Sequence, residues 1–213
     1  MQVALKLSTS LLMVWLFGGL AGSAPAQQPA QMLQGLGPQF VVFREKAQEE
    51  LKLSEDQKQK LETRFQETIQ ETMKFFEEIP EEERGKKAPE YREKAQKKLA
   101  SFLKETLKED QLKRLREIGY QQEGLFAVGQ PEVAKELKIS DEQKKKLMGI
   151  HQELQKKAEA FMKEVQSGGS PDEIMPKMMK MRKEQEGKID AILTDAQKKQ
   201  WKEMLGKPVN LED

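Results

Sequence analysis

ELKLSEDQKQKL (Glu50–Leu61) and ELKISDEQKKKL (Glu136–Leu147) are nearly the same stretch written twice. Leu51 and Leu137 lie 86 residues apart, and Gln57 and Gln143 keep that offset. So do Leu107 and Leu193, Gln111 and Gln197, Lys113 and Lys199, and Glu117 and Glu203. One offset across both clusters leaves no net insertion between them. A period this long describes two copies of a small domain, not a solenoid of short repeats.

Each copy holds two signatures, 54 residues apart. The first has Leu53-Ser54-Glu55-Asp56-Gln57 and Leu107-Lys108-Glu109-Asp110-Gln111; the second has Ile139-Ser140-Asp141-Glu142-Gln143 and Leu193-Thr194-Asp195-Ala196-Gln197. Three of the four read as helix starts. Ser54, Ser140 and Thr194 serve as N-caps, and Gln57, Gln143 and Gln197 fall at the third helical position, where they bond back to the cap's N–H. The acidic residues between them suit the positive end of the helix dipole. The leading Leu53, Ile139 and Leu193 are placed to pack on the core. Lys108 stands where a hydroxyl belongs. Thr106 offers an alternative cap there, or the helix runs through unbroken.

Between the signatures the apolar residues keep a helical period. Leu61, Phe65, Ile69, Met73 and Phe76 form one stripe, and Tyr91, Ala95, Leu99 and Phe102 its partner. Leu147, Ile150, Leu154, Ala158, Phe161 and Val165 face Ile174, Met178, Met181, Ile189 and Ile192 in the second copy. No period-two run argues for a strand. Ile79–Pro89 reads as a break, with two prolines, Gly85 and a charge run. In QSGGSP (166–171), Gly168 and Gly169 end a helix, Ser170 caps the next and Pro171 takes its first position. The fold expected is all-α: two tandem helical hairpins with long amphipathic helices, each followed by a short helix. The divisions expected are helical repeats at 41–124 and 125–209, linked through Gly124–Pro131, a flexible segment at 27–40 and a loose tail at 210–213.

Lys6, the apolar run Leu11–Leu20 and Ala24-Pro25-Ala26 read as a secretory signal peptide over 1–26. The run is short for a membrane span, so export with no stable membrane insertion after cleavage is expected. The protein then acts in the periplasm or is otherwise exported. Lys6 is the only charge in that segment; without it 36 basic residues face 36 acidic ones. The signs are interleaved, which argues against nucleic acid as a partner. There is no cysteine and one histidine, His151, so disulfides, Cys/His zinc sites and Cys or His triads are excluded. No phosphate-binding loop occurs, and the carboxylates sit among lysines on helix faces. No enzymatic activity and no cofactor are expected.

At the signatures the chain resembles the LTxxQ-motif family of bacterial envelope proteins, the Spy/CpxP-like group. Leu193-Thr194-Asp195-Ala196-Gln197 fits the motif fully, Leu53–Gln57 and Ile139–Gln143 fit with conservative changes, and Leu107–Gln111 keeps the ends. The resemblance implies a helical hairpin acting outside the cytoplasm, as an ATP-independent chaperone, a stress-pathway inhibitor or a metal-responsive sensor. It also implies a curved cradle, which two copies in one chain would build within a monomer. The oligomeric state itself is left open.

Candidate functional residues are few. Phe75-Phe76 and Met178-Met179 place large apolar groups side by side, so one of each pair, Phe75 and Met179, is expected outside a single buried stripe. Exposed apolar groups beside charge suit weak binding of unfolded or partly folded envelope proteins; the competing reading is a wider buried face. Met175, Met178, Met179 and Met181 have the thioether chemistry of a Cu(I) site, against a plain packing role. His151 is expected to be partly buried, and Trp201 to pack the final helix. A metal-responsive envelope protein and a structural coiled-coil protein without clients are the alternative functions.

Overall fold

The computed structural model describes Leu33 and residues 36–167 and 170–211; the expected signal peptide, 1–26, lies outside them. The protein is all-α, with no strand among the described residues. A 3-10 helix (Pro38–Phe43) leads to α1 (Glu45–Glu50), α2 (Glu55–Glu78), α3 (Glu81–Thr106) and α4 (Glu109–Glu123). A second 3-10 helix (Gly124–Gly129) leads to α5 (Pro131–Glu136), α6 (Asp141–Gln166), α7 (Pro171–Ile192) and α8 (Asp195–Met204). The chain forms two compact units, one ending at Gly119 and including Val209 onward, the other Tyr120–Pro208. The division falls inside α4, earlier than the expected linker. That linker is itself structured, with Ala127 and Val128 fully buried.

The twice-written stretch is a helix stop followed at once by a helix start. Lys52 and Lys138 have φ of 50° and 52°, the left-handed conformation that usually selects glycine. In the first unit Leu53 N donates to Gln48 O (3.2 Å) and Lys52 N to Glu49 O (2.9 Å); in the second Ile139 N donates to Ala134 O (2.8 Å) and Lys138 N to Lys135 O (3.1 Å). This is a Schellman closure of α1 and of α5. Leu53 and Ile139, the residues that follow, are buried. Ser54 and Ser140 then begin α2 and α6, and Thr194 begins α8, each with a capping box. The hydroxyls accept from Gln57 N (3.3 Å), Gln143 N (3.2 Å) and Gln197 N (3.3 Å).

In the first unit α2 and α3 form the expected hairpin, but its turn is shorter than the break expected over Ile79–Pro89. Ile79 and Pro80 make the turn, and α3 begins at Glu81 with Pro89 inside it. Arg84 makes the tight turn workable: its Nε donates to Ile79 O (2.9 Å) and its Nη2 to Phe76 O (2.6 Å), satisfying carbonyls at the end of α2. The helix does not run through Lys108. Leu107 is extended (φ −100°, ψ 150°), Thr106 is the last residue of α3, and α4 starts at Glu109.

The apolar stripe of α2 drifts. Three steps of four residues, Leu61 to Phe65 to Ile69 to Met73, rotate the side chain by about 120° at 3.6 residues per turn. Met73 is accordingly 51% exposed. Thr68 and Thr72, which stay in line with Leu61, are buried instead. The α6 stripe mixes steps of three and four, and keeps Ile150 and Leu154 inside. His151, one step round from Ile150, is exposed rather than partly buried.

The described part of the segment expected to be flexible is packed. Leu33, Leu36, Phe40, Val41 and Val42 are buried with Leu61, Leu99 and Leu103. The tail also packs: Leu211 is buried in the same core, and Arg44 Nη2 donates to Leu211 O (2.6 Å). In the second unit Trp201 is buried as expected, 5.8 Å from the Tyr120 ring.

Candidate functional site

The four signature glutamines do more than cap helices. Gln57 Nε2 donates to Gln111 Oε1 (2.8 Å), and Gln111 Nε2 donates back to Gln57 Oε1 (3.2 Å). The second donor of Gln57 reaches Thr106 O (2.9 Å), and that of Gln111 reaches Leu51 O (3.2 Å). Each Oε1 also accepts from its own helix start, Ser54 N (3.0 Å) or Lys108 N (2.9 Å). Both amides therefore use two donors and two acceptors, which is their full capacity. The pair clasps the ends of α1 and α3 to the starts of α2 and α4.

The second unit repeats this bond for bond. Gln143 Nε2 donates to Gln197 Oε1 (2.8 Å) and Ile192 O (2.8 Å); Gln197 Nε2 donates to Gln143 Oε1 (3.1 Å) and Leu137 O (3.2 Å). The acceptor bonds from Ser140 N and Thr194 N are both 2.9 Å. Glutamate would cap these helices as well as glutamine, but two facing glutamates would repel and could not donate. The readable signal was the choice of Gln at all four positions, including Gln111, whose cap position holds Lys108. The clasp explains the motif as tertiary structure and holds no reactive group.

Phe75, expected to be exposed, is half-buried. Its ring stacks on Tyr91 at 4.5 Å and meets Phe76 edge-on at 5.4 Å, while the Arg84 guanidinium lies over Phe76 at 5.5 Å. The turn after α2 forced this arrangement by bringing α3 back across the aromatic pair. Tyr91 OH also bonds Thr72 Oγ1 at 2.7 Å. Burial pushes the Tyr91 hydroxyl pKa above its ordinary value, and the Thr72 bond offsets part of that. The aromatic end of the first hairpin is thus already engaged.

The second hairpin differs. Met178 and Met181 are buried, but Met179 is 69% exposed and Met148 is 61% exposed. The methionines therefore do not gather at one surface. Among the described residues no group of three His, Cys, Asp or Glu side chains is placed to hold a metal. Between α6 and α7 lies an open groove of about 360 Å³ floored by Ala160, Phe161 and Met181. Lys157, Lys180 and Glu184 rim it, and the Lys177–Glu164 ion pair (2.5 Å) spans the two helices beside it. A hollow of the first unit, along the start of α2, is lined by the polar residues Gln48, Glu55, Asp56, Lys58, Gln59 and Glu62.

Two carboxyl groups of the second unit are shifted in opposite directions. Hydrogen bonds from Lys188 and Lys157 hold Glu153 down to about 2. Burial raises Glu123, although its bond from Gln130 and the nearby Arg182 charge pull the other way. Arg182 Nη2 donates to Gln122 O and Glu123 O (both 3.2 Å) and lies over Phe126 at 5.8 Å, so α7 is fastened to the second 3-10 segment.

Sequence reasoning missed Gln185. It occupies the one stripe position skipped between Met181 and Ile189, and it is fully buried. Neither its Nε2 nor its Oε1 has a hydrogen-bond partner. The amide lies close enough to Glu153 to favour its charged form, but not in hydrogen-bond geometry. Leaving such a group unsatisfied costs about 1–3 kcal/mol.

Among the described residues no helix is long and apolar enough to cross a membrane. Comparison with family models, curated proteins and solved structures returned no match.

Proposed function

We propose that this protein is an exported, ATP-independent chaperone-like or envelope stress-response binding protein that holds unfolded or partly folded proteins. The observation that carries this reading is the groove of the second hairpin, whose apolar lining is Phe161, Ala160 and Met181. Apolar floor and charged rim together favour weak attachment to many sequences over tight attachment to one. Methionine suits such a surface because its unbranched thioether adapts to different partners. The resemblance of the four signatures to the LTxxQ motif points the same way.

The test is light scattering of a reduced, aggregating client with the full chain added. Suppression is expected at a few-fold molar excess. Phe161→Lys should abolish most of it, while Met73→Lys, on the first unit, should not. A wild-type chain that fails to delay aggregation at tenfold excess removes the reading.

A further inference from the structure

The two hairpins have corresponding seams that differ in polarity at a central position. Leu99 of α3 is fully buried in hydrocarbon. Its counterpart 86 residues on is Gln185 of α7, fully buried with both amide atoms unpaired. Parting of α6 and α7 would bring that amide to water and satisfy it. Gln143 Nε2 holds α6 to Ile192 O at the clasped end (2.8 Å), but the cross-helix bonds along the rest of this seam are weak against parting. Lys177–Glu164 and Lys188–Glu153 join half-exposed or exposed side chains, where attraction is small and screened by salt. The first seam has an ion pair of the same kind, Lys98–Glu71 (2.9 Å), and in addition the Thr72–Tyr91 bond, with Thr72 buried. Glycine favours opening only slightly more here: Gly149 and Gly187 lie within α6 and α7, and Gly85 within α3, each with nothing close enough for a Cβ to touch. Proline does not distinguish the hairpins, as Pro89 lies within α3 and Pro176 within α7.

Opening would uncover Leu154, Ile174, Met178 and Met181, an apolar face with an unpaired amide in its line. The amide has both a donor and an acceptor to offer. A peptide group flanked by apolar side chains has the same two needs. We propose that the α6–α7 hairpin opens in the native protein and that the uncovered seam takes an apolar, extended segment of unfolded polypeptide, whose backbone Gln185 pairs. The occupant rests on the function proposed above; the opening does not.

Hydrogen exchange of the full chain, read by mass spectrometry, tests both parts. Amides in the middle of α7 should exchange at least tenfold faster than those in the middle of α3, equivalent to about 1.4 kcal/mol easier opening. Gln185→Leu should slow exchange in α6 and α7 about tenfold and leave α2 and α3 unchanged. An unfolded, reduced client should protect α7 in the wild type, and Gln185→Leu should weaken its capture. Exchange in α7 that is unchanged or faster in Gln185→Leu overturns the opening. Slowed exchange with undiminished capture overturns the seam as the binding surface. A wild-type chain that captures no client removes the occupant and the proposed function, while the exchange comparison still decides the opening.

Discussion

The two hairpins are built from the same plan with the polar groups placed differently. The first pairs most of its buried polar side chains: Thr68 Oγ1 donates to Arg64 O (2.8 Å), Thr72 pairs with Tyr91, and Gln57 pairs with Gln111, although Arg64 Nε is buried without a hydrogen-bond partner. The second places Gln185 in its seam without a hydrogen-bond partner, between the buried Met181 and Ile189. Its glutamine clasp is also more open to solvent, since Gln143 and Gln197 are half-buried where Gln57 and Gln111 are buried. The difference teaches that a shared scaffold motif does not impose equal pairing of buried polar groups. The clasp sets where helices begin, and the seam residues decide how firmly they stay together.

The comparison is broken most directly at the clasp. Gln111→Glu removes two donors and puts an unpaired charge among buried amides, with an expected cost of about 3–5 kcal/mol by urea denaturation. Gln197→Glu at the more exposed clasp should cost about 1–2 kcal/mol, because solvent screens the charge. Equal losses would show that burial does not distinguish the clasps. Next in size is Tyr91→Phe, which leaves the Thr72 hydroxyl without its cross-helix partner. An expected loss of about 1 kcal/mol should appear as faster exchange in α2 and α3 alone.

The left-handed lysines test what the units share. Lys52→Gly and Lys138→Gly should each stabilise by about 0.5–1 kcal/mol, as relief of the left-handed backbone exceeds the added freedom of the unfolded chain. Matched gains confirm that the helix stop is equivalent in both units; a gain at one alone separates them.

Acidity gives the smallest effects, and they run in opposite directions. Glu153 is held down from 4.5 to about 2, so its contribution is present above the ordinary range and lost as pH falls through that interval. Glu153→Gln should lower the melting temperature at pH 7 and leave it unchanged near pH 2. Glu123 is raised, so it binds its proton more tightly folded than unfolded and lowers stability as pH rises above the ordinary range. Glu123→Gln should raise the melting temperature at pH 7 more than at pH 4.

Helix class, the hairpins and the capped starts were readable from period and cap chemistry. The stops at Lys52 and Lys138 were not, because a lysine carries no signature of left-handed backbone. The glutamine pairing required two positions 54 residues apart to meet, which spacing alone does not reveal. Phe75 was misplaced because the aromatic pair was weighed on its own helix, without Tyr91 returning across the turn. Met73 and Gln185 were both open to a stricter count of helical angle: one drifts off its stripe, and the other fills a gap in its stripe.

Arg44 and Leu211 are joined by a hydrogen bond across 167 residues of chain. That bond imposes an order of events on synthesis. The amino-terminal unit contains the last described residue of the protein, so it cannot be completed while the carboxyl-terminal unit is still being made. As the chain is made, the first hairpin emerges early and waits with the Leu211 position of its core unfilled. Only the final residues close it.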